Sequence, residues 1–273
     1  MVRTIIALFF CFPVALYAQT YQQLSERAIE CIEKDSLPKA EELLLQALKL
    51  EPKNAKNALL FSNLGLVQRR LGEFDKALES YSFALNFAPL AVPILLDRAA
   101  IYMEMGKTDR AYTDYCQVLD EDKQNKEALL MRAYIYVLRR DYPAARMDYN
   151  RLLELDLQSY SGRLGLATLE QKEGKFREAL EILNKMITAT PDDATLYIAR
   201  ADVEREMKHE DLALVDLEEA IRLDAASADA YLLRGNIWHR KRKDLPKLTL
   251  RKPFHWECLR LICTNSLSSA SDV

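Results

Sequence analysis

One stretch of the chain, residues 58–91, sets a pattern that recurs along the sequence at an interval of about 34 residues. The stretch is ALLFSNLGLVQRRLGEFDKALESYSFALNFAPLA. A period of this length is typical of solenoids, in which each repeat packs only on its neighbours. The period therefore restricts the chain to a repeat architecture before any other feature is considered.

Each repeat contains two segments with helical periodicity. In residues 58–91, Gly65 belongs to the first segment, and Ala77, Tyr81 and Ala84 mark one face of the second at spacings of three and four. Gly72 lies between the segments, where its permissive backbone allows a helix to end. We therefore predict antiparallel helix pairs that bury their apolar faces only by stacking on one another.

The repeat resembles the tetratricopeptide repeat. It matches that consensus at Gly65, Gly72, Ala77, Tyr81, Ala84 and Pro89. Similar units begin near residues 21, 58, 92, 126, 160, 194 and 228, and together they cover residues 19–239. The resemblance implies an all-α fold: a right-handed superhelical solenoid of antiparallel helix pairs, with about seven repeats and the last one incomplete. In the fourth unit Arg140 replaces the usual glycine, which predicts a less sharply defined turn.

The first 18 residues, 1–18, have the pattern of a cleaved secretory signal peptide. Arg3 precedes an apolar run from Ile5 to Leu16, and the small Ala18 follows. The run is shorter than the roughly 20 residues of a membrane-spanning helix, so no integral span is expected after cleavage. The alternatives are an uncleaved membrane anchor and a buried first helix. The signal favours an exported protein of the bacterial periplasm or cell envelope.

The composition disfavours several classes of function. The chain has 38 Lys and Arg against 41 Asp and Glu, a formal net charge of −3, which disfavours nucleic acid as a partner. The five cysteines suggest no disulfide framework. Neither a nucleophile motif nor a phosphate-binding loop occurs, so we predict no catalytic residue, metal site or cofactor, and no enzymatic activity. The alternative is the repeat part of a reduced enzyme or sensor.

Arginine and aspartate recur together at two positions of the repeat. Arginine occupies the seventh place of most units, and the two units that have leucine there also lack aspartate at the twenty-third place. This co-occurrence predicts three structural pairs: Arg98 with Asp114, Arg132 with Asp148, and Arg200 with Asp216. A bidentate pair of this kind helps to fix the register of a helix hairpin. The alternative is a row of arginines that binds an anionic ligand.

The resemblance also implies a concave groove, lined by the first helix of each unit, that binds a segment of another protein. The groove positions with apolar or distinctive residues are Leu59, Leu66, Arg69, Leu96, Ala100, Met103, Leu130, Tyr134, Val137 and Leu138. We therefore expect an adaptor or scaffold that binds a partner's helix or extended peptide in units two to four. The alternatives are packing between neighbouring first helices and a homo-oligomer, such as a self-associating structural subunit of a cell-envelope assembly.

The C-terminal residues, 240–273, break the repeat pattern. They carry eight Lys and Arg against three Asp and Glu and lack the expected alanines, which predicts an irregular basic tail. One interpretation is an arm that binds a partner. The other is a segment read out of frame, because back-translation in a shifted frame can yield AKADFEKAISLGV, which resembles the missing second helix. His255, Cys258 and Cys263 have spacing too poor to predict a metal site.

Overall fold

The computed structural model describes residues 20–244, so the predicted signal peptide and most of the predicted tail lie outside the described residues. The described chain consists of thirteen α-helices without a strand. They are α1 (Tyr21–Glu33), α2 (Leu37–Leu50), α3 (Asn57–Arg70), α4 (Phe74–Phe87), α5 (Val92–Glu104), α6 (Thr108–Glu121), α7 (Lys126–Leu138), α8 (Tyr142–Leu155), α9 (Tyr160–Lys172), α10 (Phe176–Ala189), α11 (Ala194–Glu206), α12 (Glu210–Leu223) and α13 (Ala228–Asp244). The chain divides into two compact units, one ending at Ile182 and one starting at Leu183.

Helices α1 to α12 form six consecutive pairs, which we number from pair 1 (α1 and α2) to pair 6 (α11 and α12). The first helix of each pair, and α13, begins within one residue of a predicted unit start. Those first residues are Tyr21, Asn57, Val92, Lys126, Tyr160, Ala194 and Ala228. The apolar periodicity therefore locates the helices accurately, because each one has to direct a single stripe of side chains toward its neighbours.

A residue with left-handed backbone closes the turn inside each pair. These residues have φ between 58° and 79° and are Asp35, Gly72, Gly106, Arg140, Gly174 and Lys208. At Arg140, the N–H of Asp141 donates to the carbonyl oxygen of Tyr136 at 2.9 Å, the hydrogen bond that typically ends a helix in this way. The prediction of a looser fourth turn is therefore wrong: hydrogen bonds hold Arg140 in a conformation that glycine adopts more easily.

The core of the first unit lies between the two helices of each pair and between successive pairs. Alanines at the closest approaches, such as Ala77, Ala111 and Ala145, are fully buried, and the rings of Tyr81 and Tyr115 are fully buried among them. Small residues let the helix axes come near each other, while the rings fill the remaining space. Packing of this kind ties each first helix to its partner and leaves the opposite face available.

The second unit has its own core around α11, α12 and α13. Its fully buried residues are Ala201, Ala213, Leu217, Ala220, Ala230 and Ile237. Helix α13 continues to Asp244, past the predicted boundary at residue 239. Arg240 pairs with Glu210 at 2.7 Å and Lys241 pairs with Asp211, so the first turn of α12 stabilises the last turns of α13. The start of the predicted irregular tail is therefore helical.

Candidate functional site

The predicted groove residues lie on the first helices α3, α5 and α7. Leu59, Tyr134 and Leu138 are the most exposed, at 58%, 45% and 52% of their surface. The other groove residues are half-buried: Leu66, Arg69, Leu96, Ala100, Met103, Leu130 and Val137. The structure thus places all of them on partly accessible helix faces rather than inside the core.

A pocket of about 420 Å³ lies between α7 and α9 in the first unit. Three predicted groove residues, Leu130, Tyr134 and Val137, form its α7 side. Leu164 and Thr168 form part of the α9 side. The remaining lining residues, which the groove prediction did not include, are Met131, Tyr149, Ser161 and Gly165.

Tyr149 of α8 contributes its ring to the pocket because Gly165 of α9 leaves room for it. A Cβ atom on Gly165 would come within 2.5 Å of the Cε1 atom of the tyrosine ring, far closer than two carbon atoms can pack. Burial raises the pKa of the Tyr149 hydroxyl to about 12, so the group is neutral at physiological pH. The pocket therefore combines apolar walls with neutral hydroxyl groups.

Other predicted groove residues have a packing role. Leu96 and Met103 of α5 pack against the buried cluster that surrounds Tyr81 and Tyr115. Leu130 also packs against this cluster, although it lines the pocket as well. Leu96 and Met103 of α5 therefore pack between helices, as the alternative to a binding groove predicted. The α7 residues instead line a cavity with room for side chains of another molecule.

Charged groups lie at or beside the predicted groove positions of α3 and α5. Arg69 forms an ion pair with Glu104 on the neighbouring first helix. Burial raises the pKa of the Asp97 carboxyl group, and the charge of Arg69 acts in the opposite direction. This part of the groove therefore satisfies much of its charge internally, unlike the apolar pocket between α7 and α9.

The first unit contains two of the predicted arginine–aspartate pairs. Arg98 Nε and Nη2 donate to Asp114 Oδ2 and Oδ1 at 2.8 and 2.7 Å. Arg132 makes the same two hydrogen bonds to Asp148 at 2.7 and 2.8 Å. Both aspartates are buried, and the hydrogen bonds that Arg132 donates to Asp148 raise the pKa of the Arg132 guanidinium. Each pair joins the two helices of one hairpin.

The third predicted pair lies in the second unit and has the same geometry. Arg200 donates from Nε and Nη2 to the two carboxylate oxygens of Asp216, at 2.8 and 2.6 Å. Its remaining nitrogen, Nη1, donates to Asn184 Oδ1 at 2.7 Å. All three nitrogens of the Arg200 guanidinium group therefore donate to protein side chains. This geometry favours a structural role over binding of an anionic ligand.

This third contact recurs in the first unit and was not predicted. Arg98 Nη1 donates to Ser82 Oγ at 3.2 Å, and Arg132 Nη1 contacts Cys116 Sγ at 3.8 Å. Ser82 and Cys116 both belong to the second helix of the preceding pair. The only sequence signal is that Ser82, Cys116 and Asn184 share the twenty-fifth place of their repeats. Each arginine thus links two consecutive pairs as well as two helices.

The described residues meet neither the requirements of a membrane-spanning helix nor those of a metal site. Across residues 20–244, the helices are too short or too polar to span a bilayer. The same residues contain no group of three or more His, Cys, Asp or Glu side chains arranged to hold a metal ion.

Comparison with known proteins identifies relatives of this fold. The family model for the tetratricopeptide repeat matches residues 96–161. A solved tetratricopeptide repeat protein from Parabacteroides merdae is 36% identical, with 82% of this chain and 87% of that protein covered and a TM-score of 0.78. Comparison with curated proteins gave no match.

Two more distant structures share the fold alone. PilF of Pseudomonas aeruginosa is 16% identical, with 79% of this chain and 97% of that one covered and a TM-score of 0.60. YrrB, described as a tetratricopeptide repeat protein with an unusual peptide-binding site, is 18% identical, with 73% and 97% covered and a TM-score of 0.55. Because the Parabacteroides relative is matched at 36% identity over most of both chains, the protein belongs to the tetratricopeptide repeat family.

Proposed function

We propose that the protein is a non-enzymatic adaptor or scaffold that binds a peptide or helix of a partner protein along the first helices of the first unit. The observation that carries this proposal is the pocket between α7 and α9, where Leu130, Tyr134 and Val137 line one cavity. Its volume of about 420 Å³ suits a few side chains rather than a whole domain. We define this pocket, with its lining residues, as the α7–α9 pocket.

The chemistry of the α7–α9 pocket favours an apolar anchor residue. Leu130, Val137 and Leu164 provide apolar surface, and the hydroxyl groups of Tyr134 and Thr168 can hydrogen-bond a peptide backbone. An apolar side chain that enters such a cavity removes its own surface and that of the walls from water. A helix or extended segment with one large apolar residue therefore fits the pocket best.

A role without catalysis is consistent with the family and with the site. Tetratricopeptide repeats generally mediate contacts between proteins and do not catalyse reactions. Among the described residues that line the α7–α9 pocket, the titratable groups are tyrosine hydroxyls. We therefore assign the pocket a binding role, in which affinity comes from apolar burial and specificity from a few hydrogen bonds.

Photo-crosslinking from a single residue tests the site directly. We would replace Tyr134, exposed at 45%, with p-benzoylphenylalanine and irradiate cells that express the protein. Met147 of α8 is exposed at 73% and is not among the residues that line the pocket, so it provides the matched control position. We expect an adduct with one partner protein from position 134 and not from position 147. Equal adducts from both positions would contradict a site in the α7–α9 pocket.

A substitution on the rim of the α7–α9 pocket shows whether the crosslinked adduct depends on the pocket. Thr168→Glu places a charge on an exposed residue of the pocket rim, and it should abolish the adduct from position 134 while circular dichroism remains unchanged. Leu130 is less suitable for this purpose because it also packs against the core. An adduct whose mass equals two copies of the chain would identify a self-associating subunit instead of a partner-binding adaptor.

We also propose that the protein is exported and that residues 1–18 are removed during export. The support is the sequence pattern of Arg3, the apolar run and Ala18. Intact-mass measurement of the chain purified from its native host tests this proposal. A mature chain that starts at Gln19 supports cleavage, whereas a chain that retains residues 1–18 contradicts it.

A further inference from the structure

In pairs 1 to 4 and in pair 6, the first helix has a stripe of side chains that packs on the second helix. In α11 the stripe is formed by Tyr197, Arg200, Ala201 and Glu204, at the fourth, seventh, eighth and eleventh places of the repeat. Ala201 is fully buried in a cluster with Ala213, Leu217 and Ala220 of α12, and Arg200 forms its two hydrogen bonds to Asp216 of that helix. The stripe of α11 is therefore covered along its length.

Helix α13 has an equivalent stripe, which we call the terminal stripe: Tyr231, Arg234, Gly235 and Trp238. Tyr231 and Trp238 are exposed at 43% and 57%. Apart from the backbone of α13 and the two residues next to Gly235, no described atom lies within 4 Å of the place where a Cβ of Gly235 would stand. The opposite face of α13 is occupied, because Ala230 and Ile237 are buried in the cluster with α12. Within the described residues, the terminal stripe is thus complete but uncovered.

The arginines of the two stripes both stack on a tyrosine ring but differ in whether a carboxylate pairs with them. The guanidinium of Arg200 stacks over the ring of Tyr197 with its Cζ 5.6 Å from the centroid, and that of Arg234 stacks over Tyr231 at 5.0 Å. Arg200 has Asp216 as its carboxylate partner. Among the described side chains, no carboxylate pairs with Arg234. The exposed Arg242 is four residues, about one turn, beyond Trp238 and adds to the positive charge.

We propose that the terminal stripe is a docking site for an amphipathic helix from another polypeptide that carries a carboxylate for Arg234 and a small residue against Gly235. The complete pairs define this chemistry, because α12 covers the matching stripe of α11 with alanines and Asp216. Charge complementarity selects an acidic helix. A second α13 is a poorer occupant, since it would bring two copies of Arg234 together. Residues 245–273 carry four Lys and Arg against two Asp and Glu and lack the alanine and aspartate pattern.

The probe is a synthetic peptide with the sequence of α12, residues 210–223, which carries Ala213, Asp216 and Ala220 in the required positions. Fluorescence anisotropy of the labelled peptide measures its binding to the full chain. We expect saturable binding with one peptide per chain, and at least a tenfold weaker affinity for the Asp216→Ala peptide because Arg234 then lacks its partner. Absence of saturable binding overturns the proposal.

Variants of Gly235 localise the binding. Gly235→Leu fills the open position and should weaken peptide binding at least tenfold, whereas Gly235→Ala, which matches Ala201 of α11, should change it less than threefold. Both variants should fold, because the site is open and both residues favour helices more than glycine does. Equal binding by Gly235→Leu and the unchanged chain would place the peptide elsewhere and overturn the proposal.

Two further measurements decide the source of the helix. Sedimentation that shows a dimer of the full chain, lost in Gly235→Leu, would identify a second copy as the occupant and overturn a separate partner. Resequencing of the gene that restores a second helix after α13, as the shifted frame predicts, would cover the stripe within the same chain and also overturn it. A monomeric chain with an unchanged frame that binds the α12 peptide supports the proposal.

Discussion

The ring of Tyr149 lies directly against the backbone of Gly165, so that a Cβ on Gly165 would come within 2.5 Å of ring atom Cε1 and 2.7 Å of Cζ. Tyr149 belongs to α8 of the fourth pair and Gly165 to α9 of the fifth. The contact therefore sets how closely α8 and α9 approach each other. It also shapes the α7–α9 pocket, which both residues line.

Gly165→Ala should destabilise the protein and disturb the α7–α9 pocket. The added methyl group overlaps a buried ring that cannot move freely, and overpacking of this kind typically costs about 1–3 kcal/mol. Alanine recovers up to about 1 kcal/mol through its higher helix propensity, so we expect a net loss of about 1–2 kcal/mol in urea unfolding. Gly162→Ala on the same helix is the control, because its nearest neighbours include the flexible ends of leucine side chains. If the two variants were equally stable, the contact would not limit the packing.

Asp148→Ala should be strongly destabilising. The change leaves the guanidinium of Arg132 half-buried without the carboxylate that accepts two of its hydrogen bonds. Loss of one partner from a fully buried pair costs about 3–5 kcal/mol; since Arg132 is partly exposed, we expect about 2–3 kcal/mol in chemical denaturation. The control is Glu154→Ala, which breaks the exposed pair with Arg151 on the same helix and should cost less than about 0.5 kcal/mol. A similar loss in both variants would show that burial of the pair has no special effect.

Arg140→Gly should stabilise the protein. Arg140 has a φ of 59°, a left-handed conformation that costs a residue with a Cβ about 1–2 kcal/mol and costs glycine little. Part of this gain is offset because glycine loses more conformational entropy on folding, so we expect an increase of about 0.5–1 kcal/mol in the free energy of unfolding. The control is Lys107→Gly. Lys107 follows Gly106 in the turn of the third pair and has a negative φ, so this change should lower the free energy of unfolding. A decrease in stability for Arg140→Gly would indicate that its side chain has a stabilising role.

Asp97→Asn should stabilise the protein at neutral pH but not at low pH. Burial raises the pKa of Asp97 in the folded state, so the folded protein binds its proton more tightly than the unfolded chain does. Stability from this group is therefore present below the unfolded pKa and decreases as the pH rises through the folded pKa. Asparagine cannot ionise, so its advantage over aspartate should grow between about pH 3 and pH 7, measured by urea unfolding at each pH. Asp120→Asn at an exposed position of α6 is the control. An advantage that does not change with pH would exclude ionisation as the cause.

The sequence alone determined the helix pairs and the contacts inside them. The period of about 34 residues and the apolar spacing place the starts of α1 and α13 where the structure has them, because helix periodicity is a local property of the backbone. The two bonds between Arg132 and Asp148 also follow from sequence, since both residues recur at fixed places of one repeat. The resemblance to the tetratricopeptide repeat predicted Tyr134 as a groove residue, and its side chain is 45% exposed in the structure.

The tertiary structure decided the contacts between one pair and the next. Tyr21 Oη of the first pair donates to Oδ1 of the buried Asn57 of α3 at 3.0 Å, a contact that the sequence analysis did not predict. The approach of Tyr149 to Gly165, and hence the α7–α9 pocket, depends in the same way on the angle and distance between successive pairs. These quantities result from many side chains that pack together at a distance along the chain, and no local periodicity specifies them. The family resemblance therefore predicts which helix faces line a groove, whereas packing between α7, α8 and α9 determines where a cavity opens.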